Sequence, residues 1–124
     1  MATVAVTTKD FEQTISDNEL VLVDFWATWC GPCRAFGPVF EKASEANPDI
    51  VFAKVDIDEN QELAAAAGIQ AVPTLMIAKK GQVIFKQAGA LRASDLDDLI
   101  AQARGLDVNA QGESEPAAQE PAAE

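Results

Sequence analysis

Apolar residues in this chain follow two rhythms that alternate along its length. "TVAV" (3–6) reads as a brief strand. Phe11 and Ile15, at i, i+4 spacing, then read as one face of a helix, with Thr8 placed to cap it. "LVLVDFWA" (20–27) is apolar on both alternating faces, as a strand covered by layers on both sides must be. A helix is expected to start at the cysteines that follow. "IVFAKVDI" (50–57) predicts a third strand. "DENQELAAAAG" (58–68) predicts a helix with Asp58 as N-cap, Gln61 in the capping-box position and Gly68 as its stop. "TLMIA" and "QVIFKQ" on either side of "KKG" predict a hairpin. "SDLDDLIAQARG" (94–105) predicts a last helix, capped by Ser94, with Leu96, Leu99, Ile100 and Ala103 on one stripe and Gly105 at its end.

The resulting order is β-α-β-α-β-α-β-β-α. Strands separated by helices run parallel, and the final hairpin is antiparallel. One mixed five-stranded sheet flanked by four helices follows, an α/β class. Binding and reaction sites in such sheets lie beyond the carboxyl ends of the strands. The segment "WATWCGPCRAFGP" (26–38) falls there, directly after the second strand, and holds both cysteines of the chain.

The last twenty residues change this picture. From Gly105 to Glu124 there are five acidic residues and no Lys, Arg or aromatic. Such a segment buries too little apolar surface to offset the entropy of ordering. The domain is therefore expected over residues 1–104, with a disordered acidic tail over 105–124. With a net charge of −11, the chain is a poor match for nucleic acid or anionic membrane, and neither is expected as a partner. "MATVAVTTKDFEQTI" has neither a basic start nor an apolar run, so a cytoplasmic location is expected. Permanent disulfides are rare there.

Histidine is absent, which excludes Ser-His and Cys-His hydrolysis and every His-ligated metal. A structural zinc site needs four ligands, and two cysteines supply two; no metal is expected. Haem attachment needs His after the second Cys, where Arg34 stands. A structural staple is the plain alternative, but closing a four-residue loop contributes at most about 2 kcal/mol. A redox pair explains more. Pro32 suits the first helical turn, which puts Cys30 at the helix N-terminus beside unpaired N–H groups and the positive end of the macrodipole. Both favour a thiolate, so Cys30 is expected to attack. Cys33, one turn further in and expected to be less accessible, would resolve the mixed disulfide. Asp24 sits inside an apolar run, so burial should raise its pKa and let it take the proton from Cys33.

With these residues in view, "VDFWATWCGPC" closely resembles the active-site segment of thioredoxins. "AVPT" (71–74) and "GAL" (89–91) resemble two further segments of that family at the expected distances, so that the likeness covers residues 3–104. It implies the thioredoxin fold and a general protein-disulfide reductase of the bacterial cytosolic type. That reductase would work through a redox-active Cys30–Cys33 disulfide with no bound cofactor. The implied partners are an NADPH-dependent flavoprotein thioredoxin reductase and disulfide-containing proteins such as reductases and peroxidases, with the chain acting as a monomer. The resemblance further implies that Lys54 approaches and modulates Asp24, and that the Val72–Pro73 bond is cis and packs against the cysteines. Trp29, beyond the second strand, would then form a flat docking face with Gly31, Pro32, Ile57, Val72, Pro73, Gly89 and Ala90, while Trp26 packs near the site. Pro38, inside the cysteine helix, reads as structural. The chain departs from the family pattern at Thr28, where acidic residues or Pro are common. It departs again at Ala78, where an aromatic often stands, and at Arg34, which replaces a frequent Lys. A non-catalytic thioredoxin-like binding subunit, or a metal-bridged CxxC module, is the alternative.

Overall fold

The computed structural model describes residues 2–108. Its strands are β1 (Thr3–Ala5), β2 (Leu20–Trp26), β3 (Val51–Asp56), β4 (Thr74–Lys79) and β5 (Gln82–Ala88). Its helices are α1 (Phe11–Asp17), α2 (Gly31–Ala46), α3 (Gln61–Ala66) and α4 (Ala93–Gly105), in the expected order. The sheet runs β1-β3-β2-β4-β5. β3 is parallel to both β1 and β2, and β4 is antiparallel to β2 and β5.

β2 is central and buried on both faces, and its alternation sorts the core. Leu20 and Leu22 join Phe36 and Phe40 of α2, Phe52, Leu75, Ile77, and Leu96 and Ile100 of α4. Val21, Val23 and Phe25 join Ile15 of α1, Val55, Leu63 of α3 and Met76 on the opposite face. The same parity turns Asp24 and Trp26 toward α2. Phe52 packs on that side too, so Lys54, two residues on, faces α2 as well.

Three helices start elsewhere than their sequence caps suggest. Asp10 precedes α1, but its Oδ1 accepts from Thr7 N–H and Thr7 Oγ1. Thr8 gives its N–H to Asn60 Oδ1 at 2.8 Å and caps nothing. Asp58 is not the cap of α3. Asp56 Oδ1 accepts the N–H groups of Asp58 and Glu59, which closes a turn, and the helix begins only at Gln61. α4 begins at Ala93, which puts Ser94 inside its first turn. None of these three helices has a side-chain cap: Asp10 and Asp56 instead accept from amides upstream of the helices they precede. Gly68 does end α3, at φ +71°.

The hairpin turns on Lys80 and Gly81 alone, both at positive φ, which matches the twist of the flanking strands. Lys79 is therefore the last residue of β4, and it shares parity with Leu75 and Ile77. Its buried Nζ donates to the carbonyls of Ala103, Arg104 and Leu106 at 2.6, 2.9 and 2.7 Å. It thus helps satisfy the end of α4, where Ala103 O also accepts from Leu106 N–H at 3.3 Å. Lys79→Met is expected to remove the donor shared by these carbonyls and to cost about 2 kcal/mol in urea unfolding; an unchanged midpoint would contradict this role. Packing reaches past the expected boundary at 104, since α4 includes Gly105 and Val108 is buried. The rest of the expected tail lies outside the described residues.

Candidate active site

The ladder between β2 and β3 ends with Ile57 N–H donating to Trp26 O at 2.9 Å. Beyond it the chain turns, with Cys30 N–H donating to Ala27 O, and enters α2. Cys30 is the N-cap of α2 and Pro32 lies in its first turn, as the spacing requires. Cys30 and Cys33 form a disulfide with Cα atoms 5.3 Å apart.

The two sulfurs differ in their surroundings. Both residues are buried in the disulfide form, Cys30 at 4% and Cys33 at 6% exposure. Both pack with Ala27 against Trp26, Ile57 and Val72. What separates them is polarity. Cys33 N–H, one of the unpaired amides of the first turn, donates to Cys30 Sγ at 3.1 Å. The positive end of a sixteen-residue helix points at the same sulfur. Among the described residues, no corresponding donor is directed at Cys33 Sγ.

Across from the helix, Cys30 Sγ lies 3.6 Å from Val72 O. The Val72–Pro73 bond is cis, and Pro73 O accepts from Gly89 N–H at 2.8 Å. The fold therefore brings residues 30–33, 72–73 and 89 to one end of the sheet. Gly31, Pro32, Gly89 and Ala90 are exposed there, Ile57 and Val72 are half-buried, and Trp29 is 64% exposed. Pro73 itself is buried, so it shapes the wall without offering surface.

Asp24 is 0% exposed, and neither of its carboxylate oxygens accepts a hydrogen bond from the described residues. Burial pushes its pKa from 3.8 up to about 6, against a smaller opposing pull from Lys54. Lys54 Nζ approaches Asp24 Oδ2 at 3.9 Å, outside hydrogen-bond range. The same ammonium lies 5.1 Å above the Trp26 ring and beside Gly37 of α2. Trp26 thus touches both the cysteine cluster and the lysine facing the buried acid, a link the sequence reading did not reach.

Two further contacts escaped the sequence. Trp29 Nε1–H donates to Asp58 Oδ2 at 2.9 Å, and Arg34 Nη2 donates to Thr28 O at 3.1 Å. The only hint of the second was that Thr28 and Arg34 were both departures from the pattern. Among the described residues, no three Cys, Asp or Glu side chains gather in a way that could hold a metal ion.

Comparison with known proteins agrees with this geometry. A family model described as Thioredoxin matches residues 2–102. The chain is similar to a protein of Streptomyces coelicolor described as a thioredoxin 2, at 56% identity over 108 residues, covering 87% of this chain and 81% of that one. It is 41% identical to a thioredoxin of Alicyclobacillus acidocaldarius, over 81% of this chain and 96% of the other. Among solved structures, a mutant thioredoxin from Halobacterium salinarum aligns with a TM-score of 0.77 at 38% identity, covering 85% of this chain and 92% of its own. A Malassezia sympodialis thioredoxin aligns at 0.74 and 41% identity, covering 82% and 90%.

Proposed function

This chain belongs to the thioredoxin family, and on that premise we propose that it is a general cytoplasmic protein-disulfide reductase recycled by an NADPH-dependent thioredoxin reductase. Its activity as a thiol–disulfide oxidoreductase rests on the family and on the Cys30–Cys33 disulfide. The observation that carries the finer reading is the pairing of an N-capping sulfur, given an amide donor, with a buried acid titrating near neutrality.

In the proposed cycle the reduced pair acts. The Cys30 thiolate attacks one sulfur of a target disulfide and expels the other as a thiolate. Cys33 loses its proton to Asp24 and attacks Cys30 Sγ, which releases the second target thiolate. Two electrons pass to the target, and the Cys30–Cys33 bond closes. Asp24 with a pKa of about 6 is deprotonated enough at neutral pH to accept a proton and basic enough to bind it. Lys54, at 3.9 Å, favours the charged form of Asp24 and so tunes this base. Extended target segments would dock on the surface of Trp29, Gly31, Pro32, Val72 and Gly89, with the Val72 backbone supplying strand-like hydrogen bonds beside Pro73. Such a face reads backbone and apolar area instead of sequence, which suits a general reductase.

The test is insulin reduction driven by NADPH and a thioredoxin reductase, with bound zinc measured in parallel. Catalytic turnover is expected. No NADPH consumption, or stoichiometric zinc on the reduced chain, would overturn this reading in favour of a binding module.

A further inference from the structure

Among the described residues Trp29 is the most exposed large apolar side chain, yet it is tied down. Its indole N–H donates to Asp58 Oδ2 at 2.9 Å. That carboxylate is presented by a turn with its own ties: Asp56 Oδ1 accepts Asp58 N–H at 2.9 Å, and Gln61 Nε2 donates to Asp58 O at 3.2 Å. From the other side, Arg34 of α2 holds the carbonyl of Thr28, the residue just before Trp29. The Thr28–Trp29 segment, immediately preceding Cys30, is therefore gripped from two directions. The core gains nothing from fixing a ring that points into solvent. A partner does, because a side chain already held in place needs no ordering when a polypeptide docks on it.

We propose that Asp58 is a positioning residue for protein disulfides, fixing the Trp29 ring as a ready-made wall beside Cys30. The inference rests on the protein-disulfide reductase reading above and adds what favours polypeptide over small disulfides. A small disulfide reaches Cys30 without spanning the ring, so it has no use for the wall. An acceptor oxygen is what the indole needs, and the charge on it is incidental.

The experiment uses the full chain, reduced beforehand and mixed rapidly with oxidised insulin or with a small aromatic disulfide, so that no reductase is involved. Asp58→Ala is expected to raise the half-saturating insulin concentration about two- to tenfold. Its maximal rate, and its rate with the small disulfide, should stay within about twofold. Asp58→Asn, whose side-chain oxygen still accepts from the indole, is expected to restore the wild-type value. Asp58→Ala matching wild type would overturn the proposal. So would equal slowing on both substrates, or an Asn variant as impaired as Ala, which would assign the effect to charge. Wild type that reacts with neither substrate would remove the reductase reading itself, a result visible before any variant is compared.

Discussion

Cys30→Ser is expected to lower disulfide reduction by at least about a thousandfold, whereas Cys33→Ser is expected to complete the first exchange and stop. A serine hydroxyl stays protonated at neutral pH, so the donor from Cys33 N–H and the helix terminus have no anion to stabilise. A loss of that size corresponds to about 4 kcal/mol of barrier. In Cys33→Ser the attacking sulfur and its environment remain, but no thiolate is available to displace the target. The mixed disulfide should therefore accumulate, one target chain per molecule, and be visible by intact mass. Cys30→Ser working at the wild-type rate would sink the exchange mechanism. The opposite pattern, trapping by Cys30→Ser, would exchange the two roles.

Asp24→Asn is expected to make the protein more stable and less active. A carboxyl whose pKa rises from 3.8 to about 6 on folding binds its proton more tightly in the folded state. Its contribution to stability is fully present below pH 3.8 and is lost as pH rises through about 6. Above that, the buried charge costs about 3 kcal/mol relative to a neutral group. The neutral amide should recover up to that amount at pH 7, less its own cost of burial, and raise Tm by on the order of 10 °C. Below pH 3.8 the advantage should vanish. The resolving step should slow about a hundredfold, the usual scale for losing a general base. Equal rates for the two proteins between pH 6 and 8 would show that Asp24 takes no proton from Cys33. An Asn variant whose stability advantage over wild type is no larger at pH 7 than at pH 3 would show that Asp24 is not held charged in an apolar site.

Alternation along β2 made much of this legible in advance. A strand apolar on both faces had to be central, and the parity it shares with Leu20 and Leu22 turns Asp24 toward the cysteine helix. The order of elements, the α2 start and the cis Val72–Pro73 bond were all expected from the sequence and its resemblance, and all are observed. Helix starts were less legible, because a local turn before the helix can move its start along the chain. "DIDEN" contains two aspartates able to take backbone N–H groups, and Asp56 takes them. Lys79 was assigned to the turn by composition, although its parity with Ile77 pointed inward. Asp58 reaches Trp29 only because two segments twenty-nine residues apart meet in the folded chain, a contact that no local pattern encodes.

Lys79 has a consequence for handling the molecule. It pairs with Leu20, the first residue of β2, while the disulfide lies beyond the last. Seven strand residues separate those ends, roughly 20 Å. The chain after α4 is moored to Lys79 at the pole away from the sulfurs. Anything grafted after residue 108, such as a fluorophore, a bead or a fused enzyme, starts from that pole. An electrode or sensor surface loaded through this end would present its redox face outward, with the anchorage on the far side.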